Sequence, residues 1–270
     1  SPQEVTSMSK IFHISLCALA LVLTPLRAHE AAISPSVIER SSMRGEVVES
    51  SFTILNTGAS EQVYFIDVMA FEASEEDGTP LFTPEKTEQS EFLSWMLFPV
   101  PEVTIPAQSI VNVPFQIVVP DDVASGSYYG AITVSTAPSD IVASNGATLE
   151  ATTAVLVFLT VEGETVEKLE VLDFSMEQFS STLPFGDFQY RLQNQGNVHL
   201  APTGEIILKG IFGQTIATLN ANQMGGRVLP DSTRIFHVSL AQEGMNWINA
   251  AGFQLEHLAM GPIKAELSLT

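Results

Sequence analysis

The chain is poor in cysteine and in basic residues. Its single cysteine, Cys17, lies in an apolar segment near the start of the chain. The remainder therefore cannot form a disulfide, a thiolate metal site or a cysteine nucleophile. Only 11 lysines and arginines stand against 31 acidic residues, which gives a formal net charge of −20 at pH 7. Because so acidic a chain repels nucleic acid and anionic lipid, neither is expected as a partner.

Long apolar runs are also lacking. The longest one, residues 11–23, counts 13 residues, whereas a transmembrane helix needs about 20. The basic start at Met8 and Lys10 and the small residue Ala28 make residues 8–28 a predicted secretory signal peptide, preceded by seven upstream residues. We expect the mature protein outside the cytoplasm, in the periplasm or on the outer cell surface.

Helical periodicity is scarce after residue 28. Apolar and polar residues instead alternate in short runs bounded by Gly, Pro, Asn and Asp, which is typical of an all-β protein. Seven or so strands over about 130 residues favour an immunoglobulin-like β-sandwich. The predicted strands include 47–55, 63–71, 91–98, 110–119, 131–135 and 148–161, with a solvated acidic turn at 72–78 and a tight turn at 144–146.

The same plan repeats after a charged stretch at residues 162–165. Asn194-Gln195-Gly196 ends a predicted strand just as Asn56-Thr57-Gly58 does, 138 residues earlier. We predict two tandem immunoglobulin-like sandwiches, at 29–162 and 163–270. The chain stops at Thr270, where the counterpart of the strand at 148–161 should begin. The second sandwich is therefore expected to be truncated before its last strand.

The sequence contains no recognisable catalytic or metal-binding pattern. His199, His237 and His257 lack the spacing of metal ligands, and the turn at 72–78 lacks the alternating acids of a calcium loop. No Gly-x-Ser-x-Gly motif occurs. We predict no metal, no cofactor and no enzymatic activity. A hydrolase with an unrecognised carboxylate pair is the remaining catalytic alternative.

Two stretches supply candidate interaction residues. Asn194, Gln195, Asn197 and His199 could form a hydrogen-bonding loop at one end of the second sandwich, or simply close a tight turn. The second stretch is Tyr128-Tyr129, flanked by glycines, where we expect one ring to point inward and the other outward. The tryptophans Trp95 and Trp247 are expected in the cores rather than at the surface.

Several short segments resemble those of exported bacterial immunoglobulin-like proteins of the WxL-interacting family. The segments are S-P-S at 34–36, F-T-I-L-N-T-G at 52–58, V-P-D-D with G-S-Y-Y-G-A at 119–131, Q-N-Q-G-N-V-H-L-A-P-T-G-E-I at 193–206 and V-L-P-D-S-T-R at 228–234. The resemblance implies a surface protein with a membrane anchor beyond Thr270.

The two-sandwich layout also resembles periplasmic pilus chaperones. That resemblance implies a basic pair in the cleft between the domains, which holds the terminal carboxylate of a fibre subunit. Arg40 and Lys168 are the nearest candidates, and neither lies in a recognisable chaperone pattern.

We predict a non-catalytic exported interaction module that binds an envelope protein or a cell-wall glycan. The alternative is a periplasmic chaperone for surface-fibre assembly that donates a strand, 148–161, from the edge of the first sandwich.

Overall fold

The computed structural model describes residues 31–74, 76–83, 90–137, 153–179, 186–239 and 264–270. These residues form sixteen β-strands and one short helix, which confirms the predicted all-β class. The predicted signal peptide, the turn at 144–146, Trp247 and His257 lie outside the described residues. Within the described part of the chain, no helix is both long enough and apolar enough to span a bilayer.

The first ten strands form two sheets that face each other, and we call this part the first module. The sheet orders are β1-β3-β8-β6 and β2-β10-β9-β4-β5, with β7 also paired to β4. Its elements are β1 (Ala31–Ser34), β2 (Val37–Ser42), β3 (Val47–Asn56), β4 (Gln62–Ser74), β5 (Thr79–Thr83), α1 (Ser90–Leu93), β6 (Met96–Leu97), β7 (Glu102–Ile105), β8 (Ile110–Val118), β9 (Gly126–Ser135) and β10 (Thr153–Val161).

Strict alternation places the core between these two sheets. In β8, Val113, Phe115 and Ile117 are buried while the residues between them are exposed. This is the period of two that a half-buried strand requires. Phe52 and Leu159 close the same core from β3 and β10. The strand predictions at 47–55, 63–71 and 110–119 are thus confirmed to within a few residues.

The prediction of a strand at residues 91–98 is wrong. It forms helix α1 and then β6, a strand of only two residues. Its apolar residues run without alternation, and so short a run does not distinguish helix from strand. Trp95, between the two elements, is 4% exposed and packs on Tyr128 with ring centroids 4.7 Å apart. The predicted core position of Trp95 is therefore confirmed.

The remaining strands form the second module, again as two sheets. Their orders are β11-β12-β15 and β14-β13-β16, and Phe188, Tyr190, Ile206 and Phe236 are buried between them. The strands are β11 (Leu169–Phe179), β12 (Gly186–Asn194), β13 (Gly204–Lys209), β14 (Thr215–Asn220), β15 (Thr233–Ser239) and β16 (Lys264–Leu269). Residues 162–168 connect the modules, and we keep the predicted domain boundary at 162/163 as a proposal.

A fully buried asparagine ends β3 in the first module. The Nδ2 group of Asn56 donates to the backbone oxygens of Ser60 at 2.8 Å and of Ile105 at 2.9 Å. Its Oδ1 atom accepts the backbone N–H of Gly58 at 2.9 Å. One side chain thereby closes the turn after β3 and ties it to the segment before β8.

Candidate functional site

Asn194 repeats the Asn56 arrangement at the end of β12. Its Nδ2 group donates to Val198 O at 2.7 Å and to Val228 O at 3.0 Å, and Gly196 N–H donates to its Oδ1 at 2.9 Å. The side chain is fully buried, so its hydrogen-bonding groups are used within the turn. Gln195, next in the chain, is exposed. As a binding residue, each remains a prediction.

Asn197 fixes this turn against the first module and the connecting segment. Its Nδ2 donates to Ser125 O at 3.2 Å and to Glu164 O at 3.1 Å, while Val166 N–H donates to its Oδ1 at 2.7 Å. Its backbone oxygen accepts the N–H of Ser127 at 2.9 Å. The turn that the sequence predicts at one end of the second module therefore lies at the contact between the modules.

The two tyrosines of β9 point to opposite faces of their strand, and each packs into a different cluster. Tyr128 is partly buried against Trp95 at the core of the first module. Tyr129 packs with Phe71 and Phe158, at 5.2 and 6.2 Å between ring centroids. The Tyr129 cluster also holds Leu229 of the second module, so it forms an apolar floor between the modules.

His199 contacts the apolar floor with its ring and the polar side chains of Ser127 and Glu39 with its ring nitrogens. Its ring lies 4.9 Å from the Phe158 ring, and its Nδ1 lies 2.6 Å from Ser127 Oγ. The same Oγ accepts the backbone N–H of His199 at 2.8 Å. Nε2 lies 3.6 Å from a carboxylate oxygen of Glu39. Burial lowers the pKa of His199, although Glu39 opposes that shift, so a neutral imidazole is expected at neutral pH.

A cavity of about 210 Å³ opens beside this floor and is lined by both modules. Two of its lining residues are arginines of the second module, Arg227 and Arg234. The guanidinium of Arg227 lies 5.6 Å from the Phe158 ring centroid and pairs with Glu39. A cation above an aromatic face is stabilised by the ring quadrupole, so the ring helps to hold this charge in place.

Arg234 is the more deeply placed of the two arginines. Its guanidinium lies 5.3 Å from the Phe236 ring centroid and donates through one terminal nitrogen to Arg227 O at 2.9 Å. Its Nε is the one buried side-chain polar atom without a hydrogen-bond partner among the residues that the structure describes. Burial lowers the pKa of Arg234, yet arginine keeps its charge at neutral pH.

This geometry suits binding rather than turnover. Two guanidiniums beside an apolar floor can hold a carboxylate with an apolar group next to it. Within the described ranges, no group of three His, Cys, Asp or Glu side chains could hold a metal ion. We name this cavity, with Arg227, Arg234 and the floor of Phe71 and Phe158, the intermodule cleft.

The sequence did not identify the arginines of the cleft. The proposed candidates lie elsewhere: Arg40 is exposed and donates to Ser50 Oγ at 3.0 Å, and Lys168 is exposed in the connecting segment. The signal that could have pointed to Arg227 and Arg234 is R-V-L-P-D-S-T-R, where two arginines flank a Pro-Asp turn. Such a turn brings the residues on either side of it close together.

Comparison with known proteins finds distant structural likenesses only. No family model and no curated protein matches the chain, so the resemblance to the WxL-interacting family finds no support.

A class 5 fimbriae chaperone is 10% identical with a TM-score of 0.42, covering 88% of this chain and 98% of its own. A chaperone–tip adhesion subunit pre-assembly complex of archaic Csu pili from Acinetobacter baumannii is 12% identical with a TM-score of 0.39, covering 88% and 97%. Likenesses at this level carry no functional conclusion for the chain.

Proposed function

We propose that the chain is an exported, non-catalytic protein that binds an extended segment of a partner protein in the intermodule cleft, as a periplasmic chaperone of surface-fibre assembly would. The observation that carries this proposal is the placement of Arg227 and Arg234 beside an apolar floor. Only 11 basic residues occur in a chain of net charge −20. Two of them line one cavity, with Glu72 in the same lining and Glu39 paired to Arg227. We propose that the two guanidiniums attract an anionic ligand there.

The size of the cleft defines how much of the partner enters it. Small-molecule sites usually measure about 300–1,000 Å³, whereas this cavity measures about 210 Å³. It suits one or two residues of a peptide: a carboxylate against the guanidiniums and an apolar side chain against Phe71 and Phe158. The ligand chemistry is thus a chain-terminal or side-chain carboxylate next to a large apolar residue.

An edge strand continues from the cleft. Thr79 and Pro80 line the cavity and begin β5, which lies at the end of its sheet. Leu81, the next residue, is 55% exposed. An extended peptide anchored in the cleft could pair along such an edge by strand addition.

The strand proposed as a donor is paired on both sides over most of its described part. β10 pairs with β9 over residues 153–161 and with β2 over residues 156–161. Donation from 156–161 would require the loss of one of these pairings. We therefore place partner capture at the cleft and β5 rather than at β10.

The test uses a fluorescent decapeptide that ends in Leu-Phe with a free carboxylate, and the same peptide with a terminal amide. We expect the full chain to bind the acid at least about tenfold more tightly, because a hydrogen bond to a charged group contributes about 1.5–3 kcal/mol. Arg234→Gln and Arg227→Gln should each remove most of that difference. Arg234→Lys should restore part of it.

Arg40→Gln is the matched control, since Arg40 is an exposed arginine outside the cleft. Equal binding of acid and amide, or equal loss in the Arg40 and Arg234 variants, would overturn the proposed site. The periplasmic location rests on the predicted signal peptide at 8–28, and fractionation of cells that produce the full chain tests it.

A further inference from the structure

Residues 76–80, which we call the β4–β5 hairpin tip, contact the second module. Glu76 pairs through both carboxylate oxygens with Arg191 of β12. Its backbone oxygen accepts the N–H of Ile235 on β15 at 2.7 Å. The predicted solvated acidic turn is partly exposed at Glu76, whose side chain is 32% exposed. The carboxylate also meets a basic partner 115 residues away in the sequence, which no local pattern reveals.

The same tip covers one arginine of the cleft. Gly78 has a φ of 76°, in the left-handed region that favours glycine. A Cβ atom at this position would overlap the guanidinium of Arg234. Thr79 and Pro80 then line the cavity. The hairpin tip is thus one wall of the cleft, and it lies directly on the charge that we propose binds the carboxylate.

The connection that holds this wall is weak and exposed. The side chains of Arg191 and Glu76 are 42% and 32% exposed, and such ion pairs contribute little and are screened by salt. The base of the hairpin is different, because Phe71 of β4 is buried in the apolar floor. The tip can therefore detach while the two modules stay together.

We infer that the β4–β5 hairpin tip is a strap over the intermodule cleft, and that Glu76 is the positioning residue that latches it to Arg191 and Ile235. The inference rests on the proposed function, since it concerns access to the same cleft. A closed strap fixes Arg234 and lowers both the association rate and the dissociation rate of the peptide. An open strap raises both rates.

The first test needs no ligand. Hydrogen exchange at the Ile235 amide reports directly on its bond to Glu76 O. In Glu76→Gln we expect exchange at Ile235 to rise about twofold to fivefold, the range that an exposed ion pair gives. Raising the salt concentration should accelerate exchange in the natural chain and have little effect in the variant.

Glu266→Gln serves as the control, because it breaks another exposed ion pair, with Lys209, on a different sheet. Exchange at Ile235 should be the same in this variant as in the natural chain. Unchanged exchange at Ile235 in Glu76→Gln would overturn the latch.

The second test measures rates of peptide binding and adds a charge-reversed pair. Glu76→Gln should raise the association and dissociation rates of the Leu-Phe decapeptide together. The double variant Glu76→Arg with Arg191→Glu should restore slow rates, which a merely structural defect would not allow. Failure of this rescue, with the fold intact, would count against the latch.

The two proposals fail in distinguishable ways. Suppose that neither the natural chain nor any variant binds the peptide, while exchange at Ile235 rises in Glu76→Gln. The strap is then supported and the proposed function is wrong. If the peptide binds through Arg227 and Arg234 and Ile235 exchange does not respond, the proposed function stands and the strap is wrong.

Discussion

The two modules close the same turn in the same way and put it to different uses. Asn56 and Asn194 each use Nδ2 to hold backbone oxygens, three for Asn56 and two for Asn194, and Oδ1 to accept a glycine N–H. The turn after Asn56 carries Ala59, which is exposed. At the equivalent place the second turn carries Asn197, which bonds to the first module. The amide group of Asn197 thus makes the second turn part of the contact between the modules, whereas Ala59 adds no such group to the first turn.

The largest effect should come from removing either buried asparagine. Asn56→Ala loses four side-chain hydrogen bonds and Asn194→Ala loses three. Each leaves buried backbone groups unpaired, so we expect each to lower the free energy of unfolding by about 3 kcal/mol. Urea denaturation measures this. If one variant loses less than half as much as the other, the two turns are not energetically equivalent.

A methyl group at Gly196 should come next. Its Cβ would overlap the backbone oxygen of Val166, which cannot move aside as a flexible side chain can. Overpacking of this kind costs about 1–3 kcal/mol. Gly210→Ala is the control, because its Cβ would meet only the mobile side chain of Gln214. Equal thermal shifts in both variants would mean that close packing on the connecting segment is unimportant.

A smaller effect is expected from Asn197→Ala, which gives the second turn the residue of the first. It should cost about 1 kcal/mol, since these hydrogen bonds are partly accessible to water. Hydrogen exchange at the Ser127 amide, which donates to Asn197 O, should rise at the same time. The reciprocal change Ala59→Asn should alter neither the free energy of unfolding nor the exchange at Ser127. A comparable loss of stability in Ala59→Asn would mean that the two turns do not differ in the way described.

The smallest effect should be a pH dependence specific to His199. Above its ordinary pKa of 6.5, the imidazole is neutral in the folded and unfolded chain. As the pH falls, the unfolded chain takes up the proton first, because burial has lowered the folded pKa, and stability decreases. Glu39, Arg227 and Ser127 face the ring, and Arg227 adds to the lowering.

The measurement is the free energy of unfolding at about pH 7.5 and about pH 5.5. His199→Gln should flatten the profile over this range relative to the natural chain. The comparison variant is His237→Gln, which changes an exposed histidine of β15. A flat profile in the natural chain would show that protonation of His199 is not coupled to folding.

Alternation of apolar and polar residues was enough to predict the fold class and five of the ten strands of the first module, namely β3, β4, β8, β9 and β10. Alternation is local, so it locates β8 and the turn at Asn56 without knowledge of the rest of the chain. It failed at residues 91–98, where the apolar residues run on without a period. The buried Trp95 could still be predicted there, because its size and apolar ring favour the core in either element.

The cleft could not be predicted, because its parts meet only in three dimensions. Glu39 and Arg227 are 188 residues apart, and Glu76 and Arg191 are 115 apart. Without an alignment, nothing in a local window pairs such residues. The candidates Arg40 and Lys168 were chosen by sequence position alone, and position does not say which face of a module meets its neighbour.

The bonds of Asn197 also determine how the molecule would carry mechanical force. The connecting segment, 162–168, is the covalent path between the modules, and Asn197 bonds to it at Glu164 and Val166 while also gripping Ser125 O. A pull that separates the modules would load these bonds together with the bond of His199 N–H to Ser127 and that of Ile235 N–H to Glu76 O. The load would therefore be carried by several contacts in parallel before the connecting segment is stretched.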